Sequence, residues 1–301
     1  MTSTLFYTVV SLSLLGAIAA VVLYFVAQRF KVYEDPRIDL VEAELPAANC
    51  GGCGYAGCRN LAETLVDASS FESLFCPVGG NDIMARIATI LGKEAINQGA
   101  RVAVVRCNGN CEVRPVTSHY SGTHSCAVVS ALYGGETGCV FGCVGLGDCV
   151  SVCSFGAMYM DEKTGLPVIE DGKCTSCGAC IKACPKTLIE LRKQWKGNKK
   201  IYVACMNEDR GAVARKNCAV ACIGCGKCVK VCPHDAIVMN NFLAFIDSDK
   251  CRLCRKCIPE CPTNAIIEVG FPPRKLAEQA TEVSSEGSGG QINSQPLLNK
   301  E

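Results

Sequence analysis

Charge of one sign, aromatic rings and imidazoles are all scarce in this chain. Thirty Lys and Arg against 29 Asp and Glu leave a net charge of +1, which gives no support to a nucleic-acid partner. Aromatics make up 6%, with a single Trp. The three histidines, His119, His124 and His234, are scattered, and surface or loop roles account for them. No G-x-G-x-x-G follows a strand, and neither G-x4-G-K-[ST] nor H-E-x-x-H occurs, so nucleotide, flavin and metalloprotease sites lack a local signal. No acid–base pair or nucleophile stands out, and no catalytic residue is assigned. Hydrophobic residues reach 49%, but cysteines and one apolar run inflate that figure. A large aliphatic core is not expected, so something else must hold much of the chain together.

Cysteine is what the chain has in excess: 25 of 301 residues, a fraction typical of disulfide scaffolds or metal-rich chains. The compartment decides between the two. From Leu5 to Ala27 run 23 residues without charge, long enough to cross a bilayer core of roughly 30 Å as a helix. A cleaved secretory signal fits poorly, because no Lys or Arg precedes the run and no small-x-small site follows it. Arg29 and Lys31 come immediately after, while residues 1–4 carry no charged side chain. The positive-inside bias then predicts a single pass through the cell (inner) membrane with the bulk of the chain on the cytoplasmic side. Disulfides are rare there, which leaves metal ligation. Ser13, Gly16, Ala17 and Ala20 form a small-residue face on which a membrane partner helix could pack. No ionisable group lies within the run, so this helix alone is a poor ion path.

The predicted class is α+β. A transmembrane anchor (1–30) and a polar connector (31–46) lead into a four-Cys domain (47–80). A connecting region (81–125) follows, with an amphipathic helix over Asn81–Gln98 and a buried strand at Val102–Val105. Two cysteine-dense modules (126–192 and 193–270) come next. The tail (271–301), rich in Pro, Ser and Gly, is expected to be disordered.

Three segments carry the run C-x2-C-x2-C-x3-C-P in full: Cys174, Cys177, Cys180, Cys184-Pro185; Cys222, Cys225, Cys228, Cys232-Pro233; and Cys251, Cys254, Cys257, Cys261-Pro262. Three thiolates on one tight loop can reach three irons of a [4Fe–4S] cube, and the fourth Cys ligates the other cluster of a pair. C-x2-C pairs also hold structural zinc, but zinc does not call for four cysteines in this run followed by Pro, three times over. A fourth run is incomplete. Cys139, Cys143, Cys149 and Cys153 align with Cys218, Cys222, Cys228 and Cys232, but Leu146 stands where the counterpart of Cys225 is due. Upstream, Cys126 precedes Cys139 by the same 13 positions that separate Cys205 from Cys218. The pattern is that of two tandem bacterial-type 2[4Fe–4S] ferredoxin-like modules.

Cross-ligation then predicts four cubes: Cys139, Cys143, Cys149, Cys184; Cys153, Cys174, Cys177, Cys180; Cys222, Cys225, Cys228, Cys261; and Cys232, Cys251, Cys254, Cys257. Cys139 is the nearest replacement for the thiol missing at Leu146. Cys50, Cys53, Cys58 and Cys76, spaced C-x2-C-x4-C-x17-C among several glycines, are read as a fifth cluster. Cys107, Cys111 and Cys126 are candidate ligands of a sixth, against buried structural thiols. No role is assigned to Cys205 or Cys218.

The motifs Asn49-Cys50-Gly51-Gly52-Cys53-Gly54-Tyr55-Ala56-Gly57-Cys58 and Cys143-Val144-Gly145-Leu146-Gly147-Asp148-Cys149, set after an anchor, resemble one family. It is the B subunit of the Rnf-type ion-translocating ferredoxin:NAD oxidoreductase complex, and the likeness extends over residues 1–270. Shorter members carry one two-cluster module, and this chain resembles the extended, anaerobe-type form with two. The resemblance implies that electrons enter from reduced ferredoxin and pass to other membrane subunits, with flavin and nicotinamide chemistry on partner chains. It makes the chain an enzyme only as a subunit of a translocase; alone it is an electron carrier. One rival reading is an electron-relay subunit of a membrane-associated hydrogenase or dehydrogenase. Another is an iron–sulfur methyl-transfer component, whose large barrel domain would find no room here. Between the modules, Arg192, Lys193, Lys196, Lys199 and Lys200 surround Trp195; a solvated face is expected, or a lure for an acidic carrier. Lys250, Arg252, Arg255 and Lys256 flank Cys251, Cys254 and Cys257, where they can offset cluster charge or dock an acidic ferredoxin.

Overall fold

The computed structural model describes residues 2–29, 34–72, 74–95 and 97–272. Helix α1 (Thr2–Arg29) contains a stretch, Phe6–Arg29, long and apolar enough to cross a membrane, and none of that stretch is buried against the rest of the chain. Lys31, half of the expected basic flank, and the tail from residue 273 onward lie outside the described residues.

Three helices follow. In α2 (Pro36–Glu44) the Asp35 carboxylate accepts from the Arg37 amide at 2.9 Å, and Pro36 occupies the first helical position, where its missing N–H is no loss. Helix α3 (Cys58–Asp67) starts at a cysteine, and α4 (Gly80–Leu91) ends where Gly92 turns left-handed at φ 64°. That cap stops the helix seven positions before the expected Gln98. Lys93 instead reaches back to the Leu65 carbonyl at 2.6 Å. The three helices close over Val41, Leu61, Leu65, Phe71, Met84 and Ile87, an aliphatic and aromatic core separate from the cysteine-dense remainder.

The remainder is built twice. The first unit comprises β1 (Arg101–Val105), α5 (Cys126–Leu132), α6 (Asp148–Ser151), β2 (Met158–Asp161), β3 (Leu166–Ile169), α7 (Ala179–Ala183) and β4 (Ile189–Lys193). The second comprises β5 (Lys200–Val203), α8 (Gly211–Asn217), α9 (Lys227–Lys230), β6 (Ile237–Asn240), β7 (Leu243–Ile246) and β8 (Ile266–Val269). In each unit the first strand pairs antiparallel with the last, and the middle two form a hairpin. The strand expected in a connecting region, Val102–Val105, is therefore the first strand of the first unit, with Ala103 opposite Leu191. Its counterpart pairing sets Ile201 opposite Glu268.

The two units meet through buried arginines. Arg106 and Arg192, 5% and 2% exposed, share Glu190 at 3.4 and 2.5 Å, and both guanidiniums lie 5.2 Å from the Phe245 ring. Arg192 also donates to the Ile246 carbonyl at 2.6 Å, and Lys200 pairs with Asp171 at 2.5 Å. The basic run expected on a solvated face is thus divided. Arg192 and Lys200 are buried fasteners, because the other unit packs over them and β5 is buried along its whole length.

Candidate metal centres

Four loops build four cavities. In the runs with a full complement of thiols, two backbone positions are left-handed: Ser176 and Gly178 at φ 60° and 76°, Gly224 and Gly226 at 66° and 68°, Leu253 and Arg255 at 57° and 63°. These turns aim three thiols of one loop to a common side. The incomplete run has the same shape, with Gly145 at 85° and Gly147 at 81°. Leu146 has cost the loop a thiol without changing its fold.

Each cavity is lined by four cysteines. One is bounded by Cys153, Cys174, Cys177 and Cys180, and one by Cys232, Cys251, Cys254 and Cys257. A third is bounded by Cys222, Cys225, Cys228 and Cys261. In all three, the fourth cysteine of a run crosses to the other cavity of its unit, as a pair of ferredoxin cubes requires. The fourth cavity is bounded by Cys143, Cys149, Cys184 and Cys126.

Cys126 therefore stands where Cys139 was expected. The reason lies at the start of α5. The Asp148 carboxylate, beside Cys149, accepts from the Ser125 hydroxyl at 2.9 Å and the Ala127 amide at 3.1 Å. This ties the first residue of α5 to the incomplete loop. The Cys139 thiol, 7% exposed, faces away and accepts instead from the Asn207 side chain at 3.4 Å. Counting 13 positions back from Cys139 misaligned the repeat. Cys107 follows β1 by two residues as Cys205 follows β5, so the structural partner of Cys205 is Cys107. From Cys107 to Cys139 is 32 positions against 13 from Cys205 to Cys218, so residues 108–138 hold an insertion, and α5 lies in this longer stretch.

Cys50, Cys53, Cys58 and Cys76 belong to the three-helix domain. The Asn49 side-chain oxygen accepts from the Cys58 amide at 2.8 Å, and the Cys76 thiol accepts from the Gly79 amide at 3.3 Å. Burial, then the charges of Cys53 and Cys58, push the Cys76 thiol up. Cys111, expected near a sixth centre, is exposed and donates to the Lys163 carbonyl at 3.3 Å.

The thiols in the cavities are hard to ionise without a cation. Burial first, and neighbouring thiols second, push Cys143, Cys180 and Cys257 up to about 12, and Cys149 and Cys228 to about 11. Iron offsets that penalty, since metal binding deprotonates the thiol it meets. Backbone N–H groups already face several sulfurs: Ala157 to Cys153 at 3.4 Å, Leu188 to Cys184 at 3.4 Å, and Ala265 to Cys261 at 3.2 Å. The Thr175 hydroxyl, lining one cavity, is buried without a partner among the described residues. Among those residues no three His, Cys, Asp or Glu side chains converge on a single-ion position, whereas tetrahedral zinc needs every sulfur within about 2.3 Å of one point. Thiols spread around a cavity fit a polynuclear cluster.

The comparisons agree with this donor chemistry. A 4Fe-4S dicluster domain matches residues 138–188 and 221–265, a 4Fe-4S double cluster binding domain matches 173–235, and a putative Fe-S cluster domain matches 45–71. Over 241 residues the chain is 46% identical to the B subunit of the Na(+)-translocating ferredoxin:NAD(+) oxidoreductase complex of Acetobacterium woodii, covering 80% of this chain and 71% of that one. The chain belongs to the B-subunit family of ion-translocating oxidoreductase complexes. Two further relatives of this family, at 40% identity, are the B subunit of the ion-translocating oxidoreductase complex of Methanosarcina acetivorans and that of the proton-translocating ferredoxin:NAD(+) oxidoreductase complex of Clostridium ljungdahlii. They cover 83% of this chain each, and 93% and 86% of their own lengths. Family membership thus extends well beyond the cysteine runs into the helical domain and the strands that position them.

Proposed function

We propose that this chain is the membrane-anchored, multi-cluster electron-transfer subunit of a complex that couples ferredoxin/NAD electron transfer to ion translocation. Five [4Fe–4S] clusters, each supplying one-electron transfer, would be held by the cysteine groups of 50–76, by two two-cluster ferredoxin modules and, in the incomplete loop, by Cys126. The observation that carries this reading is that the cysteine groups adjoin one another, at the helical domain and within each unit. The helical domain touches the first unit where Gly52 meets Cys177. Within each unit the two cavities share a run: Cys149 and Cys153 in one, Cys228 and Cys232 in the other.

The helical domain and the last cysteine loop suggest the direction. Helix α1 joins the helical domain, so that end lies toward the membrane and the partner subunits, with the bulk of the chain on the cytoplasmic side. The last cysteine loop carries Cys254, Lys250, Arg252 and Lys256, all exposed. Arg255 is not available there, being held by Glu268 at 2.5 and 2.7 Å. Three cations beside an exposed ligand suit an acidic ferredoxin as electron donor, acting through steering.

Stopped-flow reduction of the purified complex by reduced ferredoxin tests this. Arg252→Glu with Lys256→Glu should slow reduction several-fold at low ionic strength, the difference shrinking as salt screens it. An unchanged rate moves the entry point elsewhere, and a complex that ferredoxin does not reduce at all overturns the reading.

A further inference from the structure

We infer that Cys107, Cys139, Cys205 and Cys218 hold a further [4Fe–4S] cluster at the junction of the two units, two thiols coming from each. The inference deepens the relay reading above and rests on it for its purpose, though not for its test.

The four cysteines form a ring through their neighbours. The Asn108 amide donates to the Ala204 carbonyl at 3.0 Å, which sets Cys107 beside Cys205. Asn207, 1% exposed, donates from its amide to the Cys205 sulfur and from its side chain to the Cys139 sulfur, both at 3.4 Å. Gly138 packs on Asn217, where a Cβ would stand 2.7 Å from the side-chain oxygen, so Cys139 lies beside Cys218. Gly109 closes the ring; its Cβ would stand 3.3 Å from the Cys218 sulfur.

The ring is pseudo-symmetric. Cys107 and Cys205 each stand two residues past the first strand of their unit. Cys139 and Cys218 each stand four residues before the first cysteine of a loop. Duplication of one unit therefore supplies two equivalent thiols twice, facing each other across the junction. Neither pair is needed elsewhere, since Cys126 and Cys225 complete the adjoining cavities. Arg114 adds a charge of the sign an anionic cluster needs. Its guanidinium donates to the Cys143 carbonyl at 2.7 Å, it lies within electrostatic reach of the Cys218 thiol, and its Nε is buried with no partner among the described residues.

Position gives the site its use. On one side the Cys107 sulfur accepts from the Cys143 amide at 3.5 Å, and on the other the Cys222 amide lies against the Cys205 sulfur. Cys143 and Cys222 line the nearest cavities of the two units. The junction site thus lies between a cavity of one unit and a cavity of the other.

The test is anaerobic iron and sulfide analysis of the full-length chain within its complex, with electron paramagnetic resonance of the reduced protein. The double variant Cys205→Ala/Cys218→Ala should lose about four irons from a total of roughly 24, with one reduced-cluster component gone and the others kept. Cys111→Ala should match the wild type. Asn207→Ala keeps all four thiols, so it should retain the iron and shift one component, because a hydrogen bond to a ligand sulfur is lost. Unchanged iron in the double variant, or loss of a single zinc or iron, overturns the inference. So does loss of every cluster in the double variant with no altered component in Asn207→Ala. A complex that keeps this iron but is not reduced by ferredoxin would instead refute the relay reading and leave the site standing.

Discussion

Gly52 and Cys177 touch backbone to backbone across the junction of the helical domain and the first unit: a Cβ on Gly52 would lie 2.7 Å from the Cys177 carbonyl oxygen. Real Cβ atoms do not come that close to backbone, so the contact demands glycine. It brings a loop that carries Cys50 and Cys53 onto a loop that carries Cys177, and Lys182 fastens the same seam through the Gly51 carbonyl at 3.4 Å.

Gly52→Val should force the two loops apart without removing a ligand. Expected are wild-type iron content and several-fold slower electron exchange between the helical domain and the rest, read by freeze-quench spectroscopy. Wild-type exchange kinetics would show that this contact is not on the route.

The incomplete loop offers a rescue experiment. Cys126→Ser should lose about four irons, one cube, and Leu146→Cys in that background should restore them, since Gly145 and Gly147 already hold the loop in the shape of its complete counterparts. Iron analysis of the single and double variants reads this directly. Full iron in Cys126→Ser would return the site to another thiol.

That assignment shows where the sequence was legible and where it was not. The complete runs could be read because their thiols are adjacent in sequence and cluster chemistry dictates the interval. Cys126 could not, because an insertion separates it from its cavity and a single carboxylate, Asp148, brings it home. Equal spacing of Cys126–Cys139 and Cys205–Cys218 was a coincidence that hid the true partner, Cys107. The pairing of β1 with β4 closes across more than 80 residues and leaves no local signature. Arg192 and Lys200 read as surface charges because composition does not say that the other unit packs over them.

Glu190 is the shared partner of two buried arginines, so its loss leaves both without a carboxylate. Glu190→Gln should destabilise the junction by about 3 kcal/mol, as when one member of a buried ion pair is removed. Heating the purified protein should then bleach its cluster absorbance several degrees earlier than the wild type. An unchanged bleaching temperature would mean that Phe245 and the carbonyl contacts suffice.

Cysteine replaces aliphatic bulk in the cores of both units, where Cys149, Cys180, Cys228 and Cys257 are buried among the strand residues. Removing iron should therefore loosen the units more than the helical domain, which has a core of its own. Hydrogen exchange on the iron-free chain should show fast exchange in β2, β3, β6 and β7 and retained protection in α3 and α4. Uniform protection would refute a structural role for the clusters.

The most direct measurement is Mössbauer spectroscopy of the full-length chain loaded with isotopically enriched iron, before and after anaerobic mixing with reduced ferredoxin. The account predicts about 20 or more irons per chain, nearly all in [4Fe–4S] clusters, with a substantial part reduced by ferredoxin. About 12 or fewer irons in a fully reconstituted chain, or mononuclear iron in place of cubes, would contradict it.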